Sequence, residues 1–264
     1  MNATWIGLPR SRFFTTCLWL LIVSGLQNVS GQQTHAVAGA FQTVQGKYIT
    51  LKSDARDRSK VSDWVDAFDA AVPQWCDFFD VSIDRMDEWK VDGFIIGERR
   101  LFVESGDLPP QIPLKFGFAI HGNVWVTRQK GDYYTRHLLL HEGVHAFMLE
   151  LFGFVGPAWY AEGLAELLSV HQGQGASVRV GGVPANNASV PYWGRFPLIR
   201  AARDREEVPT LQQLFRYGGD LQGDVESYGW VWLLLLMLSE HDDYRSAVLA
   251  ASEDLTMTRS RFMA

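Results

Sequence analysis

The sequence predicts an α+β fold, with a small N-terminal mixed sheet and its helices followed by a helical hairpin and a helical C-terminal part. Three observations predict it. Up to about residue 129, apolar residues come largely in short alternating runs, the period of half-buried strands. From residue 132 onward they recur at three-and-four spacing, the period of one helix face. No linker or internal repeat divides the two regions, and strands gathered ahead of helices point to α+β rather than alternating architecture.

The chain opens with Arg10 and Arg12, an apolar run from Phe13 to Leu26, and small or polar residues at Ser30 and Gly31. This is the layout of a secretory signal peptide, and the run is too short to cross a bilayer comfortably. The expectation is export, periplasmic or extracellular, with cleavage near Gly31 and no stable membrane span afterwards; an uncleaved membrane anchor is the alternative. Residues 32–264 then form a single domain, 32–131 mainly α/β and 132–264 mainly helical. Loss of the leader, which carries two arginines and no acid, moves the net charge from −6 to −8. That balance gives no basic footprint and excludes nucleic acid as an expected partner. Cys76 is the only cysteine beyond the leader, so no internal disulfide is expected and the thiol should pack in a helix.

Along the mature chain, KYITLKSD (47–54) and KVDGFIIGE (90–98) alternate as strands. VSDWVDAFDAAVPQWCDFFD (61–80) has a helical face interrupted at Pro73. FGFAIHGNVWVTRQ (116–129) places two apolar runs around His-Gly-Asn, a hairpin signal. Helices are predicted over 132–152, 158–169, 209–216, 225–240 and 242–252, and the Gly-rich segment 171–187 as a flap or short hairpin.

The helix at 132–152 contains HLLLHEGVHAFMLELFG (137–153). Residues i and i+4 lie about 40° apart in azimuth and roughly 6 Å apart along the axis, so His141 and His145 point the same way. Two such imidazoles can share a zinc ion, and Glu142, turned by about 100°, can reach an attacking water without being a ligand. In a plain core helix the same polar groups would carry a desolvation cost that Leu or Val would not. Gly153 is a fitting C-cap and Pro157 suits a new helix start, so 158–169 should return antiparallel. Counting residues out and back at about 1.5 Å each places Glu162 level with His145 and Glu166 level with His141. Glu162 can therefore supply a third ligand, while Glu166 can accept a hydrogen bond from the second nitrogen of His141. Glu162 and Glu166 could instead form a solvated acidic face.

HEGVH followed by PAWYAEGLAELL resembles the gluzincin branch of the MA-clan zinc metallopeptidases, and is most similar to its small exported bacterial members. The specific match covers Leu138–Leu168. The metzincin pattern fails, since Met148 and Leu151 stand where it requires Gly and His. The resemblance implies a zincin-like fold, one Zn²⁺ per chain held by His141, His145 and Glu162, Glu142 as general base, and a peptide or protein substrate. Some gluzincins stabilise the developing oxyanion with a downstream tyrosine. Tyr228 resembles it in placement, with Tyr160 and His241 as lesser candidates, and VWVTRQ resembles the edge strand on which an extended peptide pairs. His137 is expected to hydrogen-bond at the helix entrance rather than to ligate, and Trp193, Arg195 and Phe196 to lie in an exposed loop. Two other readings stay open at this point, a non-catalytic zinc-containing binding module and a zinc hydrolase of a non-peptide amide or ester.

Overall fold

The computed structural model describes residues 39–253 apart from 121, 154 and 218–224. The leader predicted over 1–31 lies outside the described residues. Among those described, no helix is long and apolar enough to cross a membrane.

The α+β layout is observed. A five-stranded mixed sheet comprises β1 (Gln42–Gln45), β2 (Ile49–Ser53), β3 (Val91–Ile96), β4 (Gly117–Ile120) and β5 (Asn123–Thr127). The strand order is β1-β2-β3-β5-β4, with β2-β3 and β3-β5 parallel and both outer pairs antiparallel. VWVTRQ therefore contributes an interior strand, β5, and the edge belongs to β4. The hairpin turn at Gly122, whose φ of +76° favours glycine, folds FGFAI outward past its partner. The sequence reading also missed β1, too polar at QTVQ to register as a strand.

Alternation along the central strands serves two cores. Val91 and Ile95 of β3, with Val124 and Val126 of β5, face the main core, while Phe94, Ile96 and Trp125 face a smaller one. The smaller core is closed by α2 (Arg99–Glu104), a short helix without a clear sequence signal. The main core is covered by α1 (Arg58–Phe79), which runs unbroken through Pro73. An interior proline costs about 3 kcal/mol. Each large apolar side chain of this helix that is fully buried returns about 1.5–3 kcal/mol, and Trp64, Phe68, Val72 and Trp75 all are. Burial therefore outweighs the break. Cys76 packs in this helix, and burial pushes its thiol up to about 11.

Helix α3 (Asp132–Phe152) carries HEGVH, ends on Gly153 in the left-handed region, and is followed by α4 (Ala158–Ser169). Pro157 is the N-cap rather than the first helical residue, its carbonyl accepting from the Tyr160 and Ala161 amides. Then come the hairpin β6 (His171–Gln172) and β7 (Arg179–Val180), α5 (Arg195–Asp204), α6 (Leu211–Leu214), α7 (Val225–Glu240) and α8 (Asp242–Glu253). The predicted helix 209–216 shrinks to one turn in α6. Helix α5 went unpredicted because Pro197 reads as a breaker, yet proline is tolerated in a first turn, where its missing N–H has no intrahelical partner.

The glycine of HEGVH has a packing reason. A Cβ on Gly143 would lie 2.5 Å from Phe68 Cε2 and 2.9 Å from Trp75 Cη2, both in fully buried rings. Gly143→Ala gains about 1 kcal/mol of helix propensity, but overpacking a rigid aromatic pair costs about 1–3 kcal/mol. A lowered melting temperature, by a few degrees, is expected in calorimetry. A rise would mean that the rings can shift.

Candidate metal centre

Helices α3 and α4 pack side by side, and the return register places their polar residues together. His141 Nε2 lies 3.1 Å from Glu162 Oε2, and His145 Nε2 lies 3.5 Å from the same oxygen. Donor atoms on one tetrahedral zinc at about 2.0–2.1 Å are about 3.3 Å from each other. The spacing of the three groups thus fits a single ion. A second group that could hold an ion, His137, His141 and Glu166, shares His141 through its other nitrogen.

The surroundings distinguish the two groups. Glu166 is almost fully buried, and its carboxylate accepts from Arg195 Nη2 at 2.8 Å, Arg195 Nε at 3.2 Å and the Trp193 indole at 2.9 Å. That bidentate guanidinium already neutralises it and holds its carboxyl well below the usual range against the burial that opposes ionisation. From this position Oε1 faces His141 Nδ1 at 3.4 Å and His137 Nε2 at 3.5 Å. Glu166 is thus placed to orient His141 from behind, leaving Nε2 for the Glu162 side. His137 lies inside the second turn of α3 rather than at its entrance, with Nδ1 3.2 Å from Ser169 Oγ. Burial lowers its affinity for a proton despite Glu166 nearby.

Arg195 and Trp193 are the residues that sequence reasoning placed wrongly. Both are buried, and with Phe196 they pack at the start of α5 against Trp232 and Tyr228 of α7. An arginine beside a turn-forming Gly and a Pro reads as solvent-exposed unless its partner is known, and that partner stands on another helix.

The first group opens on a cleft of about 540 Å³. Its walls include Phe116, Gly117–Ala119 of β4, Leu138 and Leu149 of α3, and Tyr228 of α7. Glu142 lies in this cleft, 8% exposed, and burial raises its carboxyl above the ordinary value although the neighbouring histidines oppose the shift. The Tyr228 ring stands 6.0 Å from that of His141. Burial and the charges of Glu162, Glu166 and Glu142 drive its phenol far above the ordinary value, so it remains a donor. Tyr160 instead donates to Val248 O in the core, and His241 accepts from the Asp243 amide at the start of α8. Neither lines the cleft. A larger depression of about 670 Å³ lies beside Arg136 and His171, but both of its cations are matched internally, Lys60 to Asp132 and Arg136 to Asp63.

No protein-family model matches the chain, and no curated protein matches it.

Burial disfavours the His141 cation, but the hydrogen bond to Glu162 and the negative charge of Glu166 nearby outweigh it and raise the imidazole to about 10. Burial likewise opposes ionisation of Glu162, and the charges and hydrogen bonds of His145 and His141 overcome it, holding the carboxyl well below its ordinary value. A metal must displace the His141 proton. Binding near pH 7 should release about one proton per ion, and affinity should rise about tenfold per pH unit until it levels off around pH 10, above which the imidazole is neutral. Calorimetric titration in buffers of different ionisation enthalpy measures that proton. An affinity that does not vary between pH 6 and 9 would remove His141 from the ligand set.

Proposed function

We propose that this chain is an exported zinc-dependent peptidase of gluzincin type, with one zinc held by His141, His145 and Glu162. The observation that carries the reading is the convergence of two imidazole nitrogens and one carboxylate oxygen beside the buried Glu142, in a cleft walled by an edge strand. The leader-like segment at Phe13–Leu26 supports export. Zinc, when bound, supplies a Lewis acid that polarises a carbonyl and acidifies water.

The remaining work falls to side chains and backbone. Among the described residues no strand pairs with the outer edge of β4, so its backbone groups can pair with an extended peptide and lay it across the cleft. Glu142, with its raised carboxyl, accepts a proton from the attacking water and returns it to the leaving nitrogen. Tyr228, held protonated, donates a hydrogen bond to the oxygen on which negative charge develops. Glu166 fixes the ring of His141, and Arg195 fixes Glu166. The edge strand favours a peptide over a compact amide or ester, because main-chain pairing gives affinity only to an extended backbone.

Glu142→Gln is the direct test. Zinc content should stay at about one per chain while kcat on labelled casein falls on the order of 10²–10⁴-fold, the contribution expected of a general base. Wild-type turnover in this variant would remove Glu142 from the mechanism, and absence of hydrolysis by the zinc-loaded parent would return the reading to a binding module.

A further inference from the structure

We propose that Gly117 is a positioning residue for the Glu142 carboxylate, a role that rests on the peptidase reading above. Glycine inside a strand weakens it and calls for a reason. The usual one, a left-handed backbone, does not apply, because Gly117 is absent from the positive-φ positions that nine other glycines occupy. What the position does require is space. A Cβ built on Gly117 would collide with Glu142 Oε1 and would stand 2.7 Å from its Cγ and 2.8 Å from its Cδ. Three atoms of one side chain fill the volume that any other residue would claim.

Neither partner can withdraw without consequence. The strand is held from behind, where Gly117 pairs with Val126 and Phe118 with Trp125 of the smaller core. Helix α3 is fixed on its far side by Gly143 against Phe68 and Trp75. A methyl group at 117 therefore moves the carboxylate itself. The space along α3 is bounded by the Glu162 carboxylate, whose like charge opposes approach, so the side chain is displaced into the open cleft where a substrate lies. A flexible glutamate at the middle of a zinc helix is thus held at one height by the missing side chain of the strand opposite.

The experiment is a two-background comparison on the zinc-loaded mature chain, with fluorescein-labelled casein as probe. Gly117→Ala should lower kcat about 10²-fold, the effect of moving a catalytic group by about 1 Å, with KM and zinc affinity changed less than about threefold. In the Glu142→Ala background, where the side chain ends at Cβ and all three colliding atoms are gone, the same change should cost less than about threefold in the residual kcat. An equal loss in both backgrounds, a loss confined to KM, or a Gly117→Ala enzyme with most of its kcat would each overturn the proposal. If Gly117→Ala fails to fold, the double variant should fold; failure of both overturns the proposal as well. A crystal structure of Gly117→Ala decides the matter without turnover. A displaced Glu142 carboxylate supports the role and an unmoved one ends it, so a parent enzyme that cuts no casein counts against the peptidase reading alone.

Discussion

Glu162→Ala should cut zinc affinity by about 10²–10³-fold, measured by competition with a chelator at pH 7. A whole zinc site is worth about 10–16 kcal/mol, and one of three protein ligands carries a share near 3–4 kcal/mol. The variant should also show a flatter pH dependence than the parent. Glu162 is the leading group that raises the His141 imidazole, so its removal lowers the competition from the proton as well as the attraction for the ion. The affinity deficit should therefore widen as pH rises. Undiminished zinc binding would mean that the third ligand is elsewhere, with His137, His141 and Glu166 as the remaining group that can hold an ion.

Arg195→Met should destabilise the ion-free protein by about 3–5 kcal/mol in denaturant unfolding, because it leaves the Glu166 carboxylate buried without its cation. Replacing both partners by apolar residues, as in Arg195→Met with Glu166→Leu, should recover most of that loss, since the pair repays little more than its own desolvation. Zinc affinity separates the two roles of Glu166. It should fall about 10–100-fold in the stable double variant, where the His141 ring has lost its rear contact, and less in the single variant, which keeps Glu166. An Arg195→Met protein within about 1 kcal/mol of the parent would show that Glu166 is satisfied by the histidines alone.

Where local chemistry decides a feature, the sequence disclosed it. The cap at Gly153 and the start at Pro157 fixed the length of the turn between α3 and α4, and counting residues at helical rise then placed Glu162 level with His145 and Glu166 level with His141; the further approach of Glu162 to His141 and of Glu166 to His137 came only with the structure. Features set by partners distant along the chain were hidden. Strand order depends on which strand β3 accepts beside it, so the edge passed from the more regular VWVTRQ to the shorter GFAI. Pro73 is a breaker by propensity, and only the buried face of α1 shows why it is tolerated. Arg195 gains its meaning from Glu166, 29 residues earlier. Gly117 is one of two strand glycines among the described residues, with Gly93, until the carboxylate that it admits is in view.

The outer edge of β4 carries a further consequence. A row of unpaired backbone groups able to receive a peptide is equally able to receive the same row of another copy, the contact that begins sheet-to-sheet aggregation. Here the hazard is limited by length and flank, since the strand has four residues and is preceded by exposed Lys115. β1, at the opposite margin, is also four residues long and reads QTVQ. On the peptidase reading proposed above, substrate would use the same short segment that exposes the sheet margin, and a longer, more β-branched β4 would bind peptides more firmly only by making the molecules adhere to one another.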